Sequence, residues 1–398
     1  MDYIIERKQA SEIKKGGSWL LVYGRRKTGK TFLLRNLCKI KNYFLVKKDL
    51  SVFSGGKEIT LNDMSKKVKE LLESGKTVVI DEFQRLEESF LEEFNLLHPK
   101  GKLILSGSSM RVVRKFFDPK SPLLGFFTPL RIDFIDVRDI IKGLKNKLKP
   151  QRLIEIATFL REPWVIPLFG GEDAIDFVYK TVTTSKFIIS SLVGEVFSEE
   201  ERELGKKYDA ILKLVASGVW NTRELASIMY SRRLIPDPSV THILQYIKNL
   251  EEMGLIESIK IFNSKRNFYR LSSPIMNIYY YLDSRYNISD RDIGVEEVKP
   301  TIEKLINLEI QNFIADFFAE KVGGRKEYYI SPEKEFDFII TKRNKPEIVG
   351  EVKWKNANKK DTGKFMKKAE HLPCKKLVIF KRGTAEGSIN AEDVLREM

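Results

Sequence analysis

The 398-residue chain predicts a multidomain α/β protein, and three observations carry that prediction. A glycine loop, Gly24-Arg25-Arg26-Lys27-Thr28-Gly29-Lys30-Thr31, stands between a strand-like apolar run and a helix-forming one. Strand and helix patterns alternate to about residue 135 and then give way to helices. Near the C-terminus, apolar strands are interrupted by single acids, Asp337 and Glu351.

The loop fits G-x-x-x-x-G-K-[ST], and its flanks fit too. Ser18 to Tyr23 reads as a buried strand and Phe32 to Leu37 as a helix, the context that makes the motif a phosphate site. Glycines let the backbone N–H groups of residues 24–31 turn inward at the positive end of a helix. Lys30 is expected at the β and γ phosphates, and the Thr31 hydroxyl on Mg²⁺. The implied ligands are ATP or ADP with Mg²⁺.

The second strand such a site needs is Lys76 to Glu82, an apolar run ending in two carboxylates. Strand residues alternate faces, so the two acids have different jobs. Asp81 is the expected Mg²⁺ partner through water, and Glu82 the expected base that orients the attacking water. A third strand runs from Lys102 into Ser106-Gly107-Ser108-Ser109. There Ser106 reads equally as a γ-phosphate sensor or as part of a Ser/Gly turn.

Together these segments resemble the archaeal Walker-type ATPases, a branch of the AAA+/STAND-like P-loop proteins. Glu6-Arg7-Lys8 resembles that family's entry motif, and Gly170-Gly171 its lid motif. Two departures stand out. Phe126 follows Pro122-Leu123-Leu124-Gly125 where the family usually carries arginine, and Glu172-Asp173 replace the lid proline. Arg131, Arg111 and Arg114 are candidates for the missing arginine, with none assigned.

Composition bounds the rest. Hydrophobic content of 42% supports real cores, and a net charge of +15 with pI near 9.4 favours polyanion partners, nucleic acid before membrane. A basic surface of the thermophile type, rich in both Lys and Glu, is the structural alternative. Cys38 and Cys374 make no disulfide framework, and three histidines argue against His-based metal chemistry. No apolar run reaches membrane-spanning length and no signal peptide is read, so a cytoplasmic location is expected.

Pattern changes place four units: a P-loop ATPase core over 1–136, a helical lid over 137–204, a third unit over 205–285 and a last one over 286–398. In the third, helices start near Ile211, Asn221 and Asp237, and a hairpin runs from Ile256 to Leu271 with a basic tip at Lys265-Arg266. This resembles a winged helix. The resemblance implies DNA contact, with Thr241, Gln245 and Lys248 in the major groove and Lys265 and Arg266 on phosphate. Docking of a protein partner is the alternative, since Glu251-Glu252 at the helix end repel phosphate.

In the last unit, period-two geometry puts Glu351 and Lys353 on one strand face, and a short turn brings Asp337 beside them. Upstream, an apolar-faced helix carries Glu309. The order resembles the PD-(D/E)XK nuclease superfamily, with a restriction-endonuclease-like α/β fold. That resemblance implies Mg²⁺ or Mn²⁺ on Asp337 and Glu351, with Glu309 as a further ligand, and Lys353 positioning water. An ion pair of Lys353 with Glu351 or Asp337 on a solvated face is the alternative. Trp354 and Lys355 read as a nucleic-acid grip or, for Trp354, as core.

The expected function is an ATP-dependent, DNA-acting protein whose nucleotide state gates the winged helix and a metal-dependent nuclease-like domain. A regulatory ATPase switch with an inactive nuclease-like domain is the main rival. A protein-remodelling AAA+ machine is a third reading.

Overall fold

The computed structural model describes residues 3–17, 19–108, 116–194, 202–331 and 335–397. The described chain divides into two compact units, 4–135 with 162–164, and 1–3 with 136–161 and 165–398.

The first unit is built on a seven-stranded sheet. Its strands are β1 (Leu20–Tyr23), β2 (Asn42–Val46), β3 (Val52–Ser54), β4 (Lys57–Ile59), β5 (Thr77–Asp81), β6 (Lys102–Gly107) and β7 (Thr128–Arg131). They lie in the order β4-β3-β2-β5-β6-β1-β7. All neighbours from β2 to β7 are parallel, and β3 and β4 add an antiparallel edge. Parallel strands buried on both faces must be apolar throughout, and Leu21, Val22, Val78, Val79, Ile80, Leu103, Ile104 and Leu105 are. Cores form on the two faces, one around Trp19, Phe83 and Phe94, the other around Leu33, Leu34 and Ile132.

The helix expected after the glycine loop is one α turn, Lys30–Phe32, followed by a π turn, Leu33–Leu37. The Cys38 N–H donates to the Leu33 carbonyl at 2.8 Å, a five-residue step. The wider turn leaves Leu33 and Leu34 both buried.

The second unit contains helices Val137–Leu144, Pro150–Leu160, Ala174–Thr184 and Lys186–Gly194, the first three of which meet helix Val295–Val322. Glu320 on that long helix accepts the Val137 and Arg138 N–H groups at 3.1 and 3.4 Å, capping the shorter helix where its donors are unsatisfied. Next come helices Arg202–Ala216, Thr222–Ser231 and Val240–Glu252, and the hairpin of β8 (Ile256–Lys260) and β9 (Asn267–Leu271). Helix Pro274–Tyr286 leads into Val295–Val322, at 28 residues the longest element described.

A five-stranded sheet closes the chain: β10 (Arg325–Ile330), β11 (Glu335–Lys342), β12 (Lys345–Asn356), β13 (Lys375–Arg382) and β14 (Ser388–Asn390), in that spatial order. The first three form an antiparallel meander; β12, β13 and β14 run parallel, with helix Lys359–Lys368 in the crossover.

The hairpin is fastened to this sheet. Ile261 bridges Tyr328, the Phe262 N–H donates to the Tyr328 carbonyl at 2.7 Å, and Phe268 packs on Tyr328 with ring centroids 4.1 Å apart. A chain of charges runs beneath. Arg161 pairs with Asp316 (2.7 Å), Asp316 with Lys326 (2.7 Å), Lys326 with Glu257 (3.4 Å), Glu257 with Arg270 (2.7 Å), and Arg270 with Glu309. Burial alone would push the Asp316 carboxyl up, but the Lys326 and Arg161 charges outweigh it and hold it well below the usual carboxylate range. Removing one partner of a buried pair strands the other, at about 3–5 kcal/mol. Strand pairing and this chain of charges tie hairpin and sheet together.

Candidate functional sites

The glycine loop leaves β1 through Gly24, whose φ is +147°. A Cβ there would stand 2.0 Å from the Ile132 carbonyl oxygen, so no side chain fits. Gly29, with φ +81°, then turns the chain into the helix at Lys30. Of the eight loop residues, Gly24, Arg25, Thr28 and Lys30 are buried, Arg26 and Gly29 half-buried, and Lys27 and Thr31 exposed. The Lys30 ammonium donates to the Gly24 and Arg25 carbonyls, both at 2.9 Å. Burial pushes its pKa down to about 8, although Asp81 and Glu82 pull the other way.

Parallel pairing of β5 with β6 sets Asp81 beside Ser106. Residues in register point to the same face, so Ser106 shares the face of Asp81. The Thr31 hydroxyl donates to Asp81 Oδ2 at 2.9 Å, and the Glu82 N–H donates to Oδ1 at 3.0 Å. The Tyr43 hydroxyl also donates to Oδ2. A carboxylate next to a threonine hydroxyl is the oxygen donor set a hard cation takes, so Thr31 and Asp81 fit Mg²⁺. Ser106 is fully buried, and its Oγ has no hydrogen-bond partner among the described residues.

Glu82 sits at φ +59°, a left-handed conformation rare outside glycine and often found at functional sites. That turn separates it from Asp81. Its carboxylate accepts from Gln84 at 2.8 Å and pairs with Arg85 at 3.2 Å.

Two partners of this site, Tyr43 and Glu162, were not read from the sequence. Tyr43 reaches Asp81 from β2. Arg7 donates to the Thr28 carbonyl at 2.8 Å. Arg25 pairs with the fully buried Glu162 at 2.8 Å, and Glu162 also accepts from the Trp164 indole at 2.8 Å. The only sequence signal for Tyr43 and Glu162 is a polar residue set among apolar ones. Arg131 pairs with Asp133 at 2.7 Å. Ser109, Arg111 and Arg114 lie outside the described residues.

The C-terminal acids lie on adjacent antiparallel strands. Phe338 faces Gly350, where a Cβ would fall 2.0 Å from the Phe338 ring, so only glycine lets the ring cross β12. That crossing fixes the register around Asp337 and Glu351. Asp337 Oδ2 accepts the Val352 N–H at 2.7 Å. Glu351 pairs with Lys353 at 2.7 Å and with Lys368 at 3.4 Å. Burial, joined by the Glu351 charge, pushes Asp337 up to about 6 against its hydrogen bond and the two lysines. The Glu351 contact, together with the Asp337 charge, lifts Lys353 above its ordinary value despite burial.

One expectation fails here. Glu309 does not join these acids: its carboxylate accepts from Arg270 and, at 2.6 Å, from Asn277, because a fully buried helix carboxylate needs donors at hand. The Trp354 indole N–H donates to Glu155 at 2.8 Å, which also pairs with Lys381. Lys355 pairs with Asp361 at 2.7 Å. Among the described residues no group of three His, Cys, Asp or Glu side chains converges on a metal position. Asp337 and Glu351 remain a two-carboxylate set that fits a hydrated divalent ion, with water as the other ligands.

Thr241, Gln245 and Lys248 are exposed along one side of helix Val240–Glu252. Among the described residues no helix is long and apolar enough to cross a membrane.

Residues 17–122 match the family model of the AAA domain. No curated protein matches the chain. Among solved structures, the Walker-type ATPase PABY2304 of Pyrococcus abyssi is similar, with a TM-score of 0.53 and 19% identity, over 70% of this chain and 96% of that one. The ORC2 protein of Aeropyrum pernix, solved as ADPNP–ADP complexes, scores 0.42 at 12% identity over 77% and 96% of the two chains. AMPPCP-bound DnaA from Aquifex aeolicus scores 0.31 at 16% identity over 62% and 86%. At those scores the last two carry no argument. The first agrees with the fold described above, and residues 17–122 are similar to an AAA domain.

Proposed function

We propose that this chain binds and hydrolyses ATP with Mg²⁺ and acts on DNA. The observation that carries the reading is the Thr31–Asp81 hydrogen bond, at 2.9 Å, beside the buried Lys30. The loop carbonyls that now hold Lys30 would give it up to the β and γ phosphates, and the loop N–H groups would take the phosphate oxygens. Thr31 and Asp81 would hold Mg²⁺, which neutralises charge developing on the transferred phosphoryl group. Glu82, released from Arg85, would orient the attacking water. The unpartnered Ser106 hydroxyl would bond the γ-phosphate. Glu82→Gln and Ser106→Ala test these roles. Both should bind ATP like wild type, with turnover falling about 100-fold or more in the first and about ten-fold in the second. Full turnover by Glu82→Gln would remove the base assignment.

A second reading concerns the last sheet. Its order of long helix, antiparallel meander, helix and parallel strand supports the resemblance to a PD-(D/E)XK-like domain. The raised Asp337 beside Glu351 and Lys353 supports a divalent-ion site, with Mn²⁺ as well as Mg²⁺ as candidates. Asp337 and Glu351 would hold the ion, and Lys353 would position water or neutralise phosphate. Helices 202–252 with the hairpin would serve as a winged helix, contacting DNA or a protein. DNA cleavage by wild type and Lys353→Ala, with either ion and with or without ATP, decides it. Cutting that disappears in the variant supports a nuclease. DNA binding without cutting under every condition leaves an ATP-driven regulatory switch.

A further inference from the structure

Two basic turns, far apart in sequence, meet at one pocket. The first is the hairpin tip between β8 and β9, with Asn263 at φ +55°. Its Ser264 N–H donates to the Ile261 carbonyl at 3.0 Å, and the Arg266 N–H donates to Ser264 Oγ at 3.1 Å. The second is the two-residue turn Arg343-Asn344 between β11 and β12, at φ +51° and +62°. The bond from the Phe262 N–H to the Tyr328 carbonyl anchors the tip to β10. Between the turns lies a pocket of about 290 Å³, lined by Lys260, Asn263, Ser264, Lys265 and Asn344, with Phe262 and Glu327.

Its chemistry favours an anion. Lys260, Lys265, Arg266, Arg343 and Lys345 are all exposed. Among the described residues no carboxylate lies within ion-pair distance of any of them. The lining acid, Glu327, is buried and accepts the Thr341 hydroxyl at 2.8 Å. Asn263, Ser264 and Asn344 add amide and hydroxyl donors. Lys260 and Lys265 in the lining, with Arg266, Arg343 and Lys345 next to lining residues in sequence, match the charge of phosphate oxygens, and several such cations suit a chain of phosphates.

We infer that the hairpin tip and the β11–β12 turn form one composite binding surface for the phosphodiester backbone of nucleic acid. The inference rests on the DNA-acting reading above and deepens it. The backbone is gripped jointly by hairpin and sheet, so the hairpin alone is an incomplete site.

The test is fluorescence anisotropy of the full-length protein with labelled duplex and single-stranded oligonucleotides over a salt series. The variants are Lys260→Ala/Lys265→Ala and Arg343→Ala/Lys345→Ala, checked for unchanged melting and ATP turnover. Each should weaken binding about ten-fold and reduce the salt slope by about one to two. If wild type binds and neither variant weakens it, the surface is wrong while the DNA-acting reading stands. If only the hairpin variant weakens binding, the composite claim falls. If wild type binds no nucleic acid, both readings fall. Equal displacement by polyglutamate at matched charge would overturn the assignment to nucleic acid.

Discussion

Asp81 and Asp337 are both acids on apolar strands, and their surroundings are opposite. Asp81 is nearly fully buried and accepts from Thr31, Tyr43 and the Glu82 N–H. Asp337 accepts one backbone N–H, and it faces a second carboxylate whose own lysine partners are shared. The first acid is oriented and charge-satisfied before any ligand arrives. The second is held up by burial and then by the Glu351 charge, a cost that a proton or a cation would relieve. A buried acid in a strand is therefore not by itself a site; the number of donors around it decides whether it positions a ligand or waits for one.

The sharpest way to break this comparison is to neutralise each acid in turn. Asp81→Asn should lower Mg²⁺-dependent ATP turnover by about 100-fold or more, while Asp337→Asn leaves it unchanged. Equal losses would mean that the contrast in donors has no functional meaning.

Stability gives the next effect. The Asp337 carboxyl is raised in the folded protein, so the native state holds more protons than the unfolded one between about pH 4 and 6. Stability should then fall as pH rises through that window, and the ionised group costs stability above it. Asp337→Asn should stabilise by about 1–3 kcal/mol at neutral pH and by nothing near pH 4, read from denaturant unfolding at both. Destabilisation at neutral pH would show the carboxylate to be well paired after all.

A smaller effect sharpens the other side. Lys30 is held near 8 by burial, and phosphate charges should raise it. Nucleotide binding should therefore take up protons from about pH 8 to 9, and affinity should fall by up to ten-fold per unit above about 8. Calorimetry in two buffers of different ionisation enthalpy measures the uptake. Tyr43→Phe should have the least effect, lowering affinity for the Mg²⁺–nucleotide by about 1 kcal/mol through the lost bond to Asp81.

Local pattern explains what could be read in advance. The glycine loop, the Asp81 strand and the Ser106 strand were legible because each motif is contiguous and each strand is apolar throughout. Glu351 and Lys353 were legible because strand periodicity alone puts them on one face. Glu309 was misread, since a buried carboxylate takes whichever donor the tertiary fold supplies. For Glu309 that means Arg270 and Asn277, from segments 39 and 32 positions away. Glu162 and Tyr43 were invisible for the same reason: Glu162 pairs 137 positions away with Arg25, and Tyr43 38 positions away with Asp81. The bridge to Tyr328 was invisible because nothing in the hairpin's own sequence announces it.

The central claim is tested most directly by Mg²⁺-dependent ATP hydrolysis of wild type beside Lys30→Ala. Turnover by wild type that drops about 100-fold or more in the variant is the predicted result. Turnover that survives in Lys30→Ala, or a wild type that neither binds nor hydrolyses ATP, would contradict it.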